Sequence, residues 1–342
     1  MKKHSDSQRS IAHTVHVAVL IPCFNEDLTV ASVIASFRKS LPDASIYVYD
    51  NNSTDATRER ALAAGATVRS EPRQGKGNVV RRMFSEVTAD YYILVDGDGT
   101  YDAALAPLML QKMVEERLDM LNAARVENDV GAYRRSHKLG NRLLTGTVSF
   151  FFGKVFDDML SGYKIFSRRY VKSFPAFSHG FEIETELTVH ALELGMPCGE
   201  MQSTYGSRPP GSVSKLKTIP DGLRILRLIG QLVKDERPLL FFSVIGFVFF
   251  FSGIILGLPV LFYYSQFGTV PRLPTAILSS SLVVLSVILV VAGLILEQVA
   301  NSRKEMKRLF YLLAASSDEV GSSYNRWRES ESVNERMGGL KS

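Results

Sequence analysis

The chain has 342 residues, 46% of them hydrophobic and 22% charged, with a mean hydropathy of +0.04, which excludes a wholly disordered protein and allows more than one domain. Its two cysteines, Cys23 and Cys198, are too few for a disulfide framework, so nothing indicates an oxidising compartment. The net charge of +5 favours anionic partners without choosing among nucleic acid, phosphorylated substrates and lipid head groups.

Strand-like and helix-like segments alternate over residues 15–217, after a polar N-terminus (residues 1–14) that lacks the apolar core of a signal peptide. The predicted elements are strand Val15–Ile21, helix Leu28–Ser40, strand Ser45–Tyr49, helix Thr54–Ala64, helix Gly77–Val87, strand Tyr91–Val95 and strand Asp119–Ala123. This alternation predicts an α/β domain with a parallel sheet and helices on both faces. Ligands of such folds bind beyond the carboxyl ends of the strands.

Two long uncharged segments follow, Leu239–Tyr264 and Leu273–Leu296, and each is long enough for a helix that crosses a bilayer. Soluble core helices rarely lack a polar face over such a length, so residues 238–300 are predicted to form a transmembrane hairpin. Residues 218–237 combine an apolar stripe with basic residues and predict a helix in the membrane interface. A helix packed on the soluble domain is the alternative for that segment.

Flanking charge predicts the orientation of the hairpin. The connecting turn carries one basic residue, Arg272, whereas the outer ends are flanked by Lys234, Arg237, Arg303, Lys304, Lys307 and Arg308. By the positive-inside rule, both termini face the cytoplasm, together with residues 15–217 and a C-terminal helix and polar tail over residues 301–342.

Acidic residues follow three of the predicted strands, and the most specific motif among them is Asp96-Gly97-Asp98. Two carboxylates separated by one small residue after an apolar strand can share a hard divalent cation such as Mg²⁺ or Mn²⁺. A single D-x-D pair also occurs by chance, and a solvated turn is its alternative. The six histidines show no ligand spacing that would offer a rival metal site.

Two glycine-containing segments supply positive charge. Gly75-Lys76-Gly77 opens a helix, where backbone N–H groups and an ammonium can face a phosphate, although a plain turn before a helix is the alternative. Residues 205–215 form a Gly/Pro/Ser loop that contains Arg208 and Lys215 and that can fold over a diphosphate or serve only as a linker.

The order of these motifs resembles family 2 glycosyltransferases. The matching positions are Pro22 with Asn25-Glu26, Asp50 with Asp55, Gly75-Lys76-Gly77, Asp96-Gly97-Asp98, Asp158 with Ser161-Gly162, and Arg208 with Gly211 and Ser214-Lys215. With the hairpin, the chain is similar to the polyprenyl-phosphate sugar synthases, the dolichol-phosphate mannose synthase branch. The resemblance implies a GT-A type Rossmann-like catalytic domain, interfacial amphipathic helices and two transmembrane helices.

The resemblance also implies roles for individual residues. Those expected to bind the nucleotide sugar are Pro22, Asn25, Glu26, Asp50, Asn52, Lys76, Asp96, Gly97, Arg208, Ser214 and Lys215. Asp96 and Asp98 would hold Mg²⁺ or Mn²⁺ on the diphosphate. Asp98 and Asp158 would be the catalytic residues, and Arg125 and Arg142 would bind the acceptor phosphate.

Three features leave parts of this expected site open. Asn51 stands where the family often has a second acid, and Thr100 stands where several members have a glutamine, so a third metal ligand is open between Thr100 and Asp102. The acid-rich helix start Phe181–Glu186 either faces the sugar or supplies ordinary N-terminal helix acids.

The implied reaction is inverting, metal-dependent transfer of a sugar from a nucleoside diphosphate, with uridine favoured, to a membrane polyprenyl phosphate such as undecaprenyl phosphate. The lipid-linked product would serve cell-envelope glycan modification at the bacterial inner (cytoplasmic) membrane. The expected partners are these two substrates and the membrane, with no nucleic acid and with a homo-oligomer allowed. The alternatives are a polysaccharide- or protein-modifying member of the family, a sugar nucleotidyltransferase and a non-catalytic membrane scaffold. The nucleotidyltransferase would need a glycine-rich first loop, whereas Asp96, Asp98 and Asp158 speak against the scaffold.

Overall fold

The structure is a computed structural model that describes residues 15–127, 144–151, 153, 156–209 and 218–314. Within these residues, the strands are β1 (Val17–Cys23), β2 (Ser45–Asp50), β3 (Thr67–Ser70), β4 (Tyr91–Leu94), β5 (Met120–Glu127), β6 (Lys164–Ser167) and β7 (Cys198–Tyr205). The helices are α1 (Val30–Ser40), α2 (Thr57–Ala63), α3 (Lys76–Glu86), α4 (Ala106–Glu115), α5 (residues 144–151), α6 (Arg168–Ser173), α7 (Ile183–Leu194), α8 (Thr218–Glu236), α9 (Pro238–Phe267) and α10 (Leu273–Leu313).

The strands form one mixed sheet in the order β3-β2-β1-β4-β6-β5-β7. All neighbouring strands are parallel except β6, which is antiparallel to both β4 and β5. The prediction of a wholly parallel sheet is therefore wrong at β6. Lys164, the first residue of β6, pairs with Leu94, the last residue of β4, so the segment that leads into β6 lies at the carboxyl edge of β4. This reversal brings Asp158 and Gly162 to the edge where the acidic motif was expected.

The core lies on both faces of the sheet, as the alternation of strands and helices predicted. Val19 and Ile21 of β1 belong to a layer shared with α1 and α4, whereas Ala18 and Leu20 belong to a layer shared with α3 and α7. Each fully buried Val, Leu or Ile side chain contributes about 1.5–3 kcal/mol relative to an exposed one. Two packed layers hold the sheet edge, and the loops that follow it, in a fixed frame.

The described chain divides into two compact units, of which the second is Leu223–Lys307. It contains α9 and most of α10, both long and apolar enough to cross a membrane, and only 11% and 17% of their most apolar windows are buried. Such exposure is unlike the core helix of a soluble protein and indicates membrane association. The first helix matches the predicted span closely, but α10 continues beyond the predicted Leu296 to Leu313.

The basic residues after the second span have a structural role at the end of α8. Arg303 and Lys304 donate to the carbonyl oxygens of Asp235 and Glu236, at 2.5 and 2.8 Å, and Lys307 forms an ion pair with Glu236 at 3.1 Å. Cations at a helix C-terminus satisfy its free carbonyl groups and oppose its dipole.

Helix α8 buries some of its apolar side chains and exposes others. Ile225, Ile229 and Val233 are buried, whereas Leu223 and Leu226 are 62% and 51% exposed. These two exposed leucines lie among exposed arginines, so α8 presents an apolar and basic surface that is consistent with an interfacial helix.

Candidate functional site

The acidic residues predicted at the strand ends gather around one buried thiol. Burial raises the pKa of Cys23, at the end of β1, well above its usual value, and four neighbouring carboxylates raise it further: Glu26, Asp50, Asp96 and Asp98. The carboxyl ends of β1, β2 and β4 therefore form a strongly negative edge that suits a cation.

The loops after β1 and β2 are joined by side-chain hydrogen bonds. The N–H groups of Asn25 and Glu26 donate to Ser53 Oγ and Thr57 Oγ1, at 2.9 and 2.8 Å. Asn25 Oδ1 accepts the N–H of Thr54 at 2.8 Å, and Asn25 has a positive φ of 53°, which asparagine tolerates better than most residues. Asn25 thus shapes the loop beside the predicted nucleotide pocket.

Asn51 occupies the position where the family often has a second acid, and its amide explains the difference. Its Nδ2 donates to the carbonyl oxygens of Glu71 and Arg73, both at 2.8 Å, while its Oδ1 accepts the N–H of Gly75 at 2.7 Å. A carboxylate has no donor and could make only the last of these bonds. Asn51 therefore fixes the loop that leads into α3.

The other predicted nucleotide-site residues lie along the same edge. Pro22 is half-buried in β1, and Asp50 is buried with its Oδ1 accepting the N–H of Ser53 at 3.3 Å. Asn52 is exposed, and its Nδ2 donates to the carbonyl oxygen of Pro72 at 2.8 Å. Of the remaining predicted residues, Arg142, Ser214 and Lys215 lie outside the described residues.

Each carboxylate of the acidic motif contacts a cation from another part of the chain. Lys76 Nζ lies 2.5 Å from Asp96 Oδ1, and Arg208 Nη2 lies 2.6 Å from Asp98 Oδ2. The Thr100 hydroxyl donates to Asp98 Oδ1 at 2.6 Å, and the Thr100 carbonyl accepts the N–H of Gly206 at 2.9 Å. The loop after β4 therefore holds the start of the segment that carries Arg208.

Two glycines allow the acidic motif to approach its neighbours. A Cβ atom on Gly97 would lie 2.7 Å from Cys23 Sγ, and one on Gly162 would lie 2.1 Å from Asp96 Oδ2. Both distances are shorter than a van der Waals contact. Gly97 and Gly162 therefore have to lack a side chain if Asp96 is to keep its position.

Lys76 lies between two carboxylates, those of Asp96 and Glu184. Burial alone would lower the pKa of Lys76, but the two carboxylates outweigh it and raise that pKa. Burial raises the pKa of Glu184, and Lys76 offsets only part of this effect. Glu184 Oε2 is buried and has no hydrogen-bond partner in the described part of the chain. Glu184 is thus a member of the site that the sequence left undecided.

The two other acids at the start of α7 cap the preceding loop. Glu182 Oε1 accepts the N–H groups of His179 and Gly180 at 3.2 and 2.9 Å. Glu186 accepts those of Phe177 and Ser178, both at 2.7 Å. Glu182 and Glu186 therefore act as ordinary acids at a helix N-terminus, whereas Glu184 lies at the candidate site.

Gly75 and Gly77 pack against this same loop. A Cβ atom on Gly77 would lie 2.3 Å from the Ser178 carbonyl oxygen, and one on Gly75 would lie 2.1 Å from that of His179. The Gly77 N–H donates to the His179 carbonyl at 3.1 Å. The suggestion that these two glycines offer free N–H groups to a phosphate is therefore wrong, because the Gly77 amide donates to His179 and the Gly75 amide donates to Asn51.

Asp158 and Arg125, which the sequence analysis assigned to different roles, form a bidentate ion pair. Arg125 Nε donates to Asp158 Oδ2 at 2.7 Å, Nη2 donates to Oδ1 at 2.8 Å, and the Arg125 N–H donates to Oδ2 at 3.1 Å. Asp158 is buried, whereas Arg125 is partly exposed and its guanidinium lies 5.6 Å from the centre of the Tyr205 ring.

The donor atoms fit a metal ion that arrives with a diphosphate. Mg²⁺ is commonly held by one or two carboxylates, with phosphate and water oxygens completing its shell, which Asp96 and Asp98 can provide. Among the described residues no group of three His, Cys, Asp or Glu side chains could hold an ion alone. Thr100 supports Asp98, and Asp102 Oδ1 accepts the N–H of Ala104 at 2.9 Å, so both candidates for a third ligand have other partners.

Sequence and fold both match known glycosyltransferases. Glycosyltransferase AglJ of Haloferax volcanii is 33% identical over 295 residues, which cover 86% of this chain and 97% of that protein. The dolichyl-phosphate hexose transferase of the same organism is 23% identical over 221 residues, 65% of this chain and 95% of that protein. Glucosyl-3-phosphoglycerate synthase from Mycobacterium tuberculosis, solved with Mg²⁺ and uridine diphosphate, aligns with a TM-score of 0.53 at 24% identity, over 64% of this chain and 79% of that one.

The last of these likenesses concerns the fold, whereas the relationship to AglJ extends over most of both chains. Residues 18–174 also match the family model described as Glycosyl transferase family 2, and they include the acidic motif and Asp158. The sheet, the strand-end carboxylates and these matches agree: the chain has a GT-A fold and belongs to glycosyltransferase family 2.

Proposed function

We propose that the chain is an inverting, metal-dependent enzyme that transfers a sugar from a uridine diphosphate sugar to a membrane polyprenyl phosphate such as undecaprenyl phosphate. The observation that carries the proposal is that one chain contains a family 2 glycosyltransferase site and two largely exposed helices of membrane-spanning length. An acceptor whose phosphate lies at the membrane surface explains both parts. The relative named dolichyl-phosphate hexose transferase supports a lipid phosphate acceptor.

The negative edge around Asp96 and Asp98 is the proposed donor site. Pro22, Asn25, Glu26, Asp50 and Asn52 would line the nucleoside pocket at the ends of β1 and β2, with Gly97 between the metal carboxylates. A bound Mg²⁺ or Mn²⁺ would neutralise charge on the leaving diphosphate. The relative solved with Mg²⁺ and uridine diphosphate supports this choice of ligands.

Cations of the chain would assist departure of the diphosphate. Lys76 and Arg208 already contact the two carboxylates, so they bring positive charge to the place where the leaving group gains negative charge. Ser214 and Lys215, in the segment after Arg208, are proposed to close over the same group.

The pair of Arg125 and Asp158 is proposed to form the binding site for the acceptor phosphate. A phosphate monoester is already anionic at pH 7, so its oxygen needs no strong general base. Asp158 accepts three hydrogen bonds from Arg125, an arrangement that suits the orientation of a guanidinium better than the removal of a proton. Arg125, with Arg142, would hold the acceptor phosphate in line with the sugar. The phosphate oxygen then bonds to the anomeric carbon as the bond to the diphosphate oxygen breaks, which inverts that centre.

The proposed location is the bacterial inner membrane, with residues 15–217 and both termini in the cytoplasm. Residues 218–237 would lie in the interface, residues 238–300 would form the hairpin and residues 301–342 the cytoplasmic end. A lipid-linked sugar made there would supply a later transfer to a cell-envelope glycan.

The test uses the full chain in detergent with Mg²⁺ or Mn²⁺, a panel of nucleotide sugars and undecaprenyl phosphate, and measures the lipid-linked product. We expect product with at least one donor and its loss on chelation. Asp98→Asn should abolish transfer because it removes a metal carboxylate, whereas Asp43→Asn, in an exposed turn, should not. Transfer to soluble glycans with none to any polyprenyl phosphate would refute the acceptor assignment.

A further inference from the structure

A lysine with no exposed surface lies next to the segment that carries Asp158. Lys164 begins β6 and has a relative exposure of 0%. Its Nζ donates to Asn122 Oδ1 at 2.5 Å and to the Met159 carbonyl oxygen at 3.1 Å. Both partners are uncharged, so within the described part of the chain this ammonium is held by neutral dipoles and forms no ion pair.

Asn122 and Glu200 extend this contact to the backbone of Asp158. Asn122 Nδ2 donates to the Asp158 carbonyl oxygen at 2.8 Å and to Glu200 Oε1 at 2.7 Å. Glu200 in turn accepts the N–H groups of Asp157 at 2.9 Å and Asp158 at 3.3 Å. Side chains from β5, β6 and β7 therefore hold three successive backbone positions, residues 157–159.

The network is costly for stability alone. Burial lowers the pKa of Lys164 to about 8, and the nearby carboxylates of Asp158, Glu184 and Glu200 oppose this shift only in part. Taking an ammonium out of water is unfavourable, whereas an apolar side chain of similar length would fill the same space without that desolvation cost. A role in fixing the geometry of the segment accounts for the charge that packing does not require.

We propose that Lys164 is a positioning residue: through Met159 and Asn122 it fixes the backbone of Asp158, so that the carboxylate holds Arg125 for the acceptor phosphate. The inference rests on the proposed function for its acceptor, but its geometric part does not depend on that acceptor. Lys164 has no exposed surface, so it is not available to a substrate, and its effect passes through Asp158.

The test compares Lys164→Met and Lys164→Arg with Ser167→Ala, a matched control. Ser167 is also a buried polar residue of β6, but its hydroxyl donates to Asp119 and caps α6, so its loss lowers stability without reaching Asp158. The first readout is hydrogen exchange of the Arg125, Asp157 and Asp158 amides in the full chain. We expect faster exchange in Lys164→Met than in Ser167→Ala, with slower exchange recovered in Lys164→Arg.

The second readout compares the effect of the substitution on acceptor use with its effect on donor binding. Misplacement of a positioned group by about 1 Å can cost on the order of 100-fold in rate, so we expect Lys164→Met to lower kcat/KM for undecaprenyl phosphate at least tenfold. Binding of uridine diphosphate with Mg²⁺ should change less than about twofold, because within the described part of the chain the side-chain hydrogen bonds of Lys164 and Asn122 go to residues other than Asp96 and Asp98. Lys164→Arg should recover part of the loss.

The outcomes separate failure of the inference from failure of the proposed function. Absence of polyprenyl phosphate transfer by the unaltered chain would refute the proposed acceptor, and the exchange data would still decide the positioning role. Equal exchange in Lys164→Met and Ser167→Ala would refute that role whatever the acceptor. If Lys164→Met does not fold, Glu200→Gln replaces it, because the amide keeps one acceptor oxygen and loses the one that holds the Asp157 N–H. Unchanged exchange of Asp157 in that variant would also refute the role.

Discussion

Asp96 owes its position to a residue that carries no side chain. A Cβ atom on Gly162 would lie 2.1 Å from Asp96 Oδ2, and Asp96 cannot retreat freely because Lys76 holds its other oxygen at 2.5 Å. The glycine of the Ser161-Gly162 motif is therefore explained by a close approach to the acidic motif. Its requirement is spatial, since its φ does not lie in the left-handed region.

We predict that Gly162→Ala weakens binding of uridine diphosphate with Mg²⁺ about 10-fold or more, because the new methyl group displaces Asp96, a proposed metal ligand. Overpacking of this kind also costs about 1–3 kcal/mol of stability, so melting temperature is measured alongside calorimetric binding. Gly230→Ala is the control, since apart from its own helix backbone and chain neighbours no described atom lies within 4 Å of its Cβ position. Binding by Gly162→Ala at the unaltered affinity would contradict the assignment of Asp96.

At the scale of elements, the acids at the start of α7 have different roles, and one of them forms an ion pair with the start of α3. Glu182 and Glu186 cap backbone N–H groups, whereas Glu184 shares Lys76 with Asp96. A lysine with two carboxylates neutralises each of them only in part, so Asp96 keeps negative charge for a metal ion. If the Glu184 carboxylate is removed, Lys76 pairs with Asp96 alone and neutralises more of its charge.

We predict that Glu184→Gln lowers the affinity for Mn²⁺ in the presence of uridine diphosphate several-fold, because Lys76 then competes more strongly for Asp96. Glu182→Gln, two residues earlier, keeps an oxygen for its backbone partners and should leave the affinity unchanged. Titration of both variants with Mn²⁺, followed by electron paramagnetic resonance, distinguishes them. Equal affinities in the two variants would show that Glu184 does not influence the metal site.

The strands that the sequence did not predict lack a readable pattern for two physical reasons. Strands β3 and β7 lie at the two edges of the sheet, where few side chains are fully buried and no apolar alternation develops. Strand β6 is fully buried, but it has only four residues and begins with a lysine, so its sequence shows no recognisable hydrophobic pattern. By contrast, β1, β2 and β4 are largely apolar segments with acids at or shortly after their ends, and their pattern was readable.

The same distinction applies to the site. Asp96 and Asp98 were predictable because a local pattern, an apolar strand followed by two acids, marks them. The contact of Arg125 with Asp158 joins residues 33 positions apart and depends on the antiparallel register of β5 with β6. The contact of Lys76 with Glu184 depends on the packing of α3 near α7. Such pairs follow from the fold and have no signature in a short window of sequence.

For the whole molecule, the mean hydropathy of +0.04 averages two different parts. One is a layered domain whose strand ends are negative, and the other is a pair of apolar helices whose basic flanks include Arg303 and Lys304. These basic residues also contact the carbonyl groups at the end of α8. In the proposed orientation they lie on the cytoplasmic side of the membrane, and the end of α8 then lies on that side as well.

The proposed orientation can be tested by labelling. We predict that a membrane-impermeant maleimide labels Thr269→Cys, in the turn between α9 and α10, in intact spheroplasts. It should label Ser302→Cys, exposed beside Arg303, only after lysis, because the basic end of α10 remains in the cytoplasm. The unaltered chain is the background control, since Cys23 is buried and Cys198 is partly buried. The reverse pattern would place the catalytic domain outside the cytoplasm, away from nucleotide sugars, and would overturn the proposed orientation together with the proposed donor.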